Sequence, residues 1–249
     1  MFTTALTALA LACYLVSGRC VVRPRLVRLR WPLFADILRV GAVGSVSTLQ
    51  TTLTVALSTA LVGAAAGPDA VAGYGTGARL EYLLVPLVFG LGAPLVALVG
   101  TNIGAGRRAR ALRTALIGGG IAFALSEAIG VAAAIWPQAW LGLFGDDPRM
   151  LAAGTAYLHS VGPAYGFFGL GLSLYFASQG AGHLLWPLLA GFIRLVIAIA
   201  GGWLALHLTG SLGWVFAALA AALVTYGVLL SSAVASGVWF RRTASGRMP

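Results

Sequence analysis

Four ionisable side chains stand inside long apolar stretches of this chain: Arg79, Glu81, Glu127 and Arg194. An ionisable group at bilayer depth is costly to keep, so each is a functional candidate from the outset. Glu81, well inside its apolar run, is expected to face the bundle interior or a water-filled cavity. There it would act as a cation or proton site, or form a structural ion pair with Arg79 or Arg194. Glu127, in Ala-Leu-Ser-Glu-Ala-Ile-Gly, falls under the same argument. Arg194 is expected in the cytoplasmic third of its helix, where a long stem lets the charged head snorkel to the surface.

Uncharged polar residues crowd the stretch Ser45-Val-Ser-Thr-Leu-Gln-Thr-Thr-Leu-Thr54. Such side chains in a membrane helix either bond to a neighbouring helix or line a solute cavity. Gln50 is the costliest of them to bury, and together with Thr54 it is a candidate for the cavity. Tyr165, Phe167, Phe168, Tyr175 and Phe176 offer an aromatic wall for a flat cationic or apolar ligand. The alternative for all five is a core or lipid-facing position.

Other chemistries find no support. Gly100-Thr-Asn-Ile-Gly-Ala-Gly106 looks like a phosphate loop in composition only, because it lacks the lysine and hydroxyl residue and follows a helix. His159, His183 and His207 show no HExxH spacing, and Cys13 and Cys20 have no zinc pattern, so no metal site is expected. No Ser-His-Asp or Cys-His set can be assembled, so no enzyme and no resident cofactor are expected.

The elements that must position these groups follow from hydropathy. The chain has 249 residues, 59% hydrophobic and 9% charged, with a mean hydropathy of +0.93. A soluble domain carries about 25% charged residues, so most of this surface faces something other than water. Apolar runs lie near 2–18, 37–63, 70–99, 114–136, 150–178, 186–208 and 213–240. Each is long enough to cross the roughly 20-residue bilayer core as a helix. They are continuous, without the alternation of a barrel strand. The fold class is therefore an all-α integral membrane protein of about seven transmembrane helices. The run at 2–18 has no positive residues before it, so it reads as a spanning helix and not a signal peptide. Pro86 and Pro94 predict a bend in the third helix.

All sixteen basic residues are arginine, and thirteen of them fall in three places: Arg19–Arg39, Arg107–Arg113 and the tail from Arg241. The alternate connections hold only Arg149, beside Asp146 and Asp147. The positive-inside rule sets the first group in the cytoplasm, with the N-terminus outside and the C-terminus inside. The net charge of +10 is thus spent on a lipid surface, and nucleic acid is not an expected partner. The long basic stretch also marks a boundary. Residues 1–18 form one helix, 19–36 a basic cytoplasmic linker with an amphipathic approach at Asp36 and Arg39, 37–240 a six-helix unit, and 241–249 a basic cytoplasmic tail. Trp136, Trp140, Leu143 and Phe144, in the connection up to Pro148, suit an interfacial half-helix.

Three patches carry a resemblance: Asp69–Arg107, with Arg79-Leu-Glu81, Pro86 and Gly100-Thr-Asn-Ile-Gly-Ala-Gly-Arg107; Leu143-Phe-Gly-Asp-Asp-Pro148; and Ala177-Ser-Gln-Gly-Ala-Gly-His183 with Trp186-Pro187. In this order the chain, over roughly 35–240, resembles the multidrug and toxic compound extrusion (MATE) family. The resemblance implies a twelve-helix, two-lobe antiporter exchanging sodium ions or protons for cationic, amphipathic solutes. Residues 1–18 would be the last helix of a first lobe and 37–240 the second lobe, with a complementary lobe or a dimer partner supplying the rest. Pro86, Pro94, Asn102, Gly104, Gly106, Gln179, Gly180 and Gly182 are its structural motif positions, and Gln50, Thr54, Glu81, Tyr165 and Tyr175 its cavity candidates. Gln50 and Phe168 stand where some relatives place a carboxylate, which leaves Glu81 as the coupling candidate. A lipid-linked precursor flippase of the same superfamily and an inactive remnant are the alternatives.

Overall fold

A computed structural model describes residues 5–9, 13–14 and 31–240. The chain divides into two compact units, Met1–Ala42 and Val43–Pro249. In the first, residues 5–9 and 13–14 are helical, and the expected linker up to residue 30 lies outside the described residues. Helix begins again at Trp31 and not at 37.

The second unit is built of helices joined by short turns, with no strand among the described residues. Helix α1 covers Trp31–Gly104. A straight helix of that length would run roughly 110 Å, several times the bilayer core. The chain avoids this at Gly67, where φ 78° and ψ −169° leave the helical region. That conformation is open essentially to glycine alone, and Pro68 then starts the second arm. The expected bend at Pro86 and Pro94 is not the main one. Both stay within helix, and the break falls on the glycine.

The remaining elements are α2 (Arg108–Ile135), the short α3 (Pro137–Leu141), α4 (Pro148–Val161), a 3-10 turn at Gly162–Ala164, α5 (Tyr165–Gly180), α6 (Leu185–Val196), a π-turn at Ile197–Gly201, α7 (Gly202–Thr209), α8 (Leu212–Ala235) and a final 3-10 turn. The run expected at 150–178 is thus α4 and α5, interrupted where Pro163 removes an N–H. The run at 186–208 is α6 and α7 joined through the π-turn. The stretch expected as a half-helix contains the short α3, docked by the Trp140 indole, which donates to the Thr76 carbonyl at 2.9 Å. Asp147 caps α4, its carboxylate accepting from the N–H groups of Arg149 and Met150.

On α2 the packing is inverted relative to a helix of a water-soluble bundle. Helix α2 buries Ala111, Ala115, Gly119, Ala122, Ser126, Gly130 and Ala133, and turns Leu116, Ile117, Ile121, Leu125 and Ile129 outward. Small residues inside permit close backbone approach while large aliphatics meet lipid. A side chain on Gly130 would overlap the Gly162 carbonyl, so α2 crosses the α4–α5 joint at contact distance. Helix α8 buries Val215, Leu219, Ala222, Leu223, Tyr226 and Leu230 at helical period and packs on α4, α5, α6 and α7. The chain is a multi-pass membrane protein.

The motif glycines have two jobs. Gly106 (φ 73°) and Gly182 (φ 72°) end α1 and α5 in the same way. Arg107 N–H donates to Asn102 O and Gly106 N–H to Ile103 O, as His183 N–H does to Ser178 O and Gly182 N–H to Gln179 O. Each pair closes the orphan carbonyls of a helix end through a left-handed residue. Gly100 and Gly180 bring those two ends together, since a Cβ on Gly180 would overlap the Val96 carbonyl and one on Gly100 would lie 3.1 Å from the Gly180 oxygen.

Glu127 receives a structural explanation. The Gly162–Ala164 turn breaks the regular bonding ahead of α5, whose Tyr165 N–H turns to the Gly162 carbonyl. The Glu127 carboxylate accepts from Gly166 N–H at 2.8 Å and places a negative charge at the positive end of α5. Replacing Glu127 with Leu is expected to cost about 1–3 kcal/mol, while Glu127→Gln, whose amide oxygen still accepts, costs less. Thermal unfolding of the detergent-solubilised variants reads the difference, and equal losses would remove the cap.

Candidate functional site

Two adjoining cavities open into the second unit. The larger, of about 410 Å³, is lined by the first arm of α1 (Ser47, Thr48, Gln50, Thr51, Thr54), by Val85 and Phe89 of its second arm, by Phe168, Leu172 and Tyr175 of α5, by Pro187, Gly191 and Arg194 of α6, and by Tyr226 of α8. The smaller, of about 150 Å³, lies between the two arms of α1 and α4, α5, α6 and α8, with Ser58, Tyr74, Glu81, Tyr157 and Leu219 in its wall. Thr51, Thr54, Val85, Phe168 and Arg194 belong to both walls and form the partition between them.

The only ion pair at this depth among the described residues lies at that partition. Arg194 donates from its Nη2 to Glu81 Oε1 at 3.1 Å, with side chains 17% and 22% exposed. The guanidinium also sits 5.4 Å from the Phe168 ring and 5.6 Å from the Tyr226 ring. Arg194 therefore does not snorkel. Its helix turns it inward, where a carboxylate and two ring faces replace the water it gives up. The π-turn at Ile197–Gly201 begins just after Arg194 in the same helical run, a local irregularity of the kind often found beside functional residues. Arg79 is elsewhere, 5.1 Å from the Phe144 ring, so of the two expected partners for Glu81 it is Arg194 that pairs.

The polar stripe of α1 is internally bonded. Ser47, Thr48, Thr51 and Thr54 each donate to the carbonyl four residues earlier, at 3.1, 3.0, 3.1 and 2.8 Å. Gln50, 6% exposed, reaches across to α6, its Nε2 donating to the Leu188 carbonyl at 3.2 Å. Its Oε1 lies where a side chain on residue 191 would begin, only 2.7 Å from an ideal Cβ there, so Gly191 makes room for it. Gln50 thus pins α1 to α6 and contributes an edge of the cavity wall.

Of the five cavity candidates, Gln50, Thr54 and Tyr175 line the larger space, and Thr54 and Glu81 the smaller. Tyr165 lines neither. It is fully buried, and its hydroxyl donates to that of Tyr157 at 3.3 Å in a cluster where Tyr157 meets Tyr74 and Phe216 edge-on. The aromatic wall is also sorted. Phe168 and Tyr175 face the cavity, Phe167 packs edge-on to Phe123, and Phe176 packs edge-on to Phe89 over Gly92. Phe89 and Tyr226 are aromatic wall residues that sequence reasoning missed, and Arg194 is a wall residue it expected to snorkel. Arg194 carried one signal, its charge in an apolar run, but only the rotation of α6 against α1 shows which way it faces. The motif residues Asn102, Gly104, Gly106, Gln179, Gly180 and Gly182 lie at the helix ends described above, away from both cavities. Removing either partner of the ion pair leaves the other charge unmatched. Glu81→Leu and Arg194→Leu are each expected to cost about 1–3 kcal/mol, and the double variant less than their sum. A double-mutant cycle on thermal unfolding tests this, and strict additivity would mean that the two do not interact.

Comparison with known proteins adds relatives to this geometry. The family model described as MatE matches residues 45–204. The chain is 25% identical over 174 residues to the probable multidrug resistance protein NorM of Thermotoga maritima, which takes in 70% of this chain and 37% of that protein. It is 28% identical over 129 residues to the FAD transporter of Shewanella oneidensis, 52% of this chain and 28% of the other. Among solved structures, a MOP superfamily transporter from Pyrococcus furiosus superposes with a TM-score of 0.85 at 18% identity, over 94% of this chain and 54% of that one. The MATE transporter ClbM in complex with Rb+ superposes at 0.80 with 17% identity, over 96% of this chain and 54% of that one. The structural likeness concerns the fold. The chain spans well under half the length of these curated relatives and little more than half of these solved structures.

Proposed function

The chain belongs to the MatE family, and on that premise we propose that it works as one six-helix lobe of a multidrug exporter. The observation that carries this reading is the convergence of polar groups in an otherwise apolar bundle. The hydroxyl stripe of α1, Gln50 and the Glu81–Arg194 pair all meet at the two cavities, among Phe89, Phe168, Tyr175 and Tyr226. A concave, mostly apolar space with a few placed polar groups suits a small amphipathic aromatic solute. Ring faces and hydroxyl oxygens also favour a solute with positive charge. Of the described arginines only Arg194 reaches these cavities. That favours a small solute over a lipid-linked phosphate precursor, which would need more cationic contacts.

Transport then follows from exchange at Glu81. A sodium ion or a proton bound there on one side of the membrane is replaced by solute on the other, as the lobe rocks against a complementary lobe supplied by the rest of the polypeptide or by a second copy. The arginines from Arg107 to Arg113, at the start of α2, face the cytoplasm of a bacterial cell in this arrangement. In cells stripped of their own exporters, expression of the chain is expected to speed loss of a preloaded ethidium-type dye. Glu81→Gln should lower the gradient-driven rate by roughly tenfold or more, about 1.4 kcal/mol of coupling. An unchanged rate in the variant would take Glu81 out of the mechanism. The orientation has its own check. A cysteine introduced at Ala109 should resist an impermeant thiol reagent added outside intact cells and react after permeabilisation.

A further inference from the structure

Positive charge gathers at one end of α2 and finds no counter-charge there. Arg107 precedes the helix, and Arg108, Arg110 and Arg113 follow within it, all four exposed. Among the described residues the ion pairs are Arg149–Asp69 and Arg194–Glu81, and neither takes in these arginines. The first turn of α2 holds no acid and no side-chain cap. The acids of the second unit stand away from this end. Glu127 lies roughly 20 Å farther along α2, Glu81 pairs with Arg194, and Asp69 pairs with Arg149, next to Asp146 and Asp147 beyond the other end of the helix. The helix dipole is itself positive at this end and adds to the repulsion.

Helical spacing sorts the four. Arg107, Arg110 and Arg113 fall within about 120° of one another around the axis and span about 9 Å along it. The same face continues into Ile117, Ile121 and Leu125, which are 54%, 47% and 43% exposed. Large exposed aliphatics on a spanning helix meet lipid, so the three arginines stand at the end of a lipid-facing strip. Arg108 lies on the opposite face, its guanidinium 5.3 Å from the Phe240 ring. Leu112 and Phe240 pack together against Ala111 and Trp239, which fixes this end of α2 to the end of α8. Arg241 and Arg242 follow Phe240 directly in the sequence, so the basic tail departs from beside the same patch.

We propose that this end of α2 binds an anionic phospholipid, its phosphodiester held by Arg107, Arg110 and Arg113 and an acyl chain lying along Ile117, Ile121 and Leu125. Guanidinium forks match phosphate oxygens in paired hydrogen bonds. A zwitterionic headgroup would bring its own ammonium into a patch that has no carboxylate to meet it. A free phosphate would gain the arginines and nothing from the apolar strip. The site lies away from both cavities, so it holds whatever solute they take.

Thermal unfolding of the purified full chain in a nonionic detergent, followed as lipid is added, gives an apparent Kd from the rise in midpoint. The probes are phosphatidylglycerol and phosphatidylcholine with identical acyl chains, and glycerol 3-phosphate. Phosphatidylglycerol is expected to bind about tenfold or more tighter than phosphatidylcholine, and glycerol 3-phosphate to leave the midpoint where it is. Arg110→Gln and Arg113→Gln should each weaken phosphatidylglycerol about fivefold, the effect of one arginine at an anionic surface, and leave phosphatidylcholine unchanged. Arg149→Gln, which alters an exposed arginine beyond the other end of α2, should change neither. Equal affinity for the two lipids, or an equal loss in Arg110→Gln and Arg149→Gln, overturns the site. If glycerol 3-phosphate raises the midpoint as phosphatidylglycerol does, the patch takes free phosphate and the lipid assignment falls. Should the variants fail to fold, salt decides on the wild type. The preference for phosphatidylglycerol should shrink as ionic strength rises, and one that persists undiminished in high salt overturns the site.

Discussion

A charge cannot remain inside hydrocarbon without a partner, because the solvation it loses is worth several kcal/mol or more. In this chain that rule acts on the contact between Arg194 of α6 and Glu81 of α1. Each makes the other tolerable, and the faces of Phe168 and Tyr226 complete the shell around the guanidinium. Because the pair joins two helices far apart in sequence, it also sets the rotation of α6 about its axis. With Arg194 turned inward, Gly191 faces α1 and leaves room for Gln50, which reaches the Leu188 carbonyl. The cavity walls follow from that one choice of face.

A second constraint comes from the backbone. In lipid every N–H and C=O needs an internal partner, so a helix interrupted within the membrane must be repaired locally. Two interruptions within the spans are repaired in different ways. At Gly162–Ala164 the Glu127 carboxylate accepts an N–H from the new helix start. At Ile197–Gly201 the helix widens to a π-turn and keeps its bonding. The same carboxyl chemistry thus performs unlike tasks. Glu127, partly buried, accepts an N–H at a helix start, while Glu81 lines a cavity.

The small residues make these arrangements possible. Ala and Gly on the buried face of α2, and Gly100 and Gly180 where α1 meets α5, bring backbones to contact distance. Large aliphatics are left for the lipid side, the distribution expected when the solvent is itself apolar. The motif glycines resemble a ligand loop in composition, yet they serve as helix terminators and crossing points, and the chemistry lies elsewhere along the same helices.

The sequence alone determined the solvent, the helices and the short list of costly residues, because each depends on properties of local segments. Run length and the lack of charge imply a membrane bundle, and the arginine clusters imply its sidedness. An ionisable residue in an apolar run announces itself whatever its neighbours, so Glu81, Glu127 and Arg194 were legible as exceptional. Their roles were not. Whether Arg194 snorkels or turns inward, whether Glu81 pairs with Arg79 or Arg194, and whether Tyr165 lines a cavity or joins a core of tyrosines depend on helix rotation. Rotation is decided by contacts between residues more than a hundred positions apart, such as Arg194 with Glu81 and Gln50 with Leu188. A one-dimensional pattern does not encode those contacts, so only the packed helices could settle which polar groups meet.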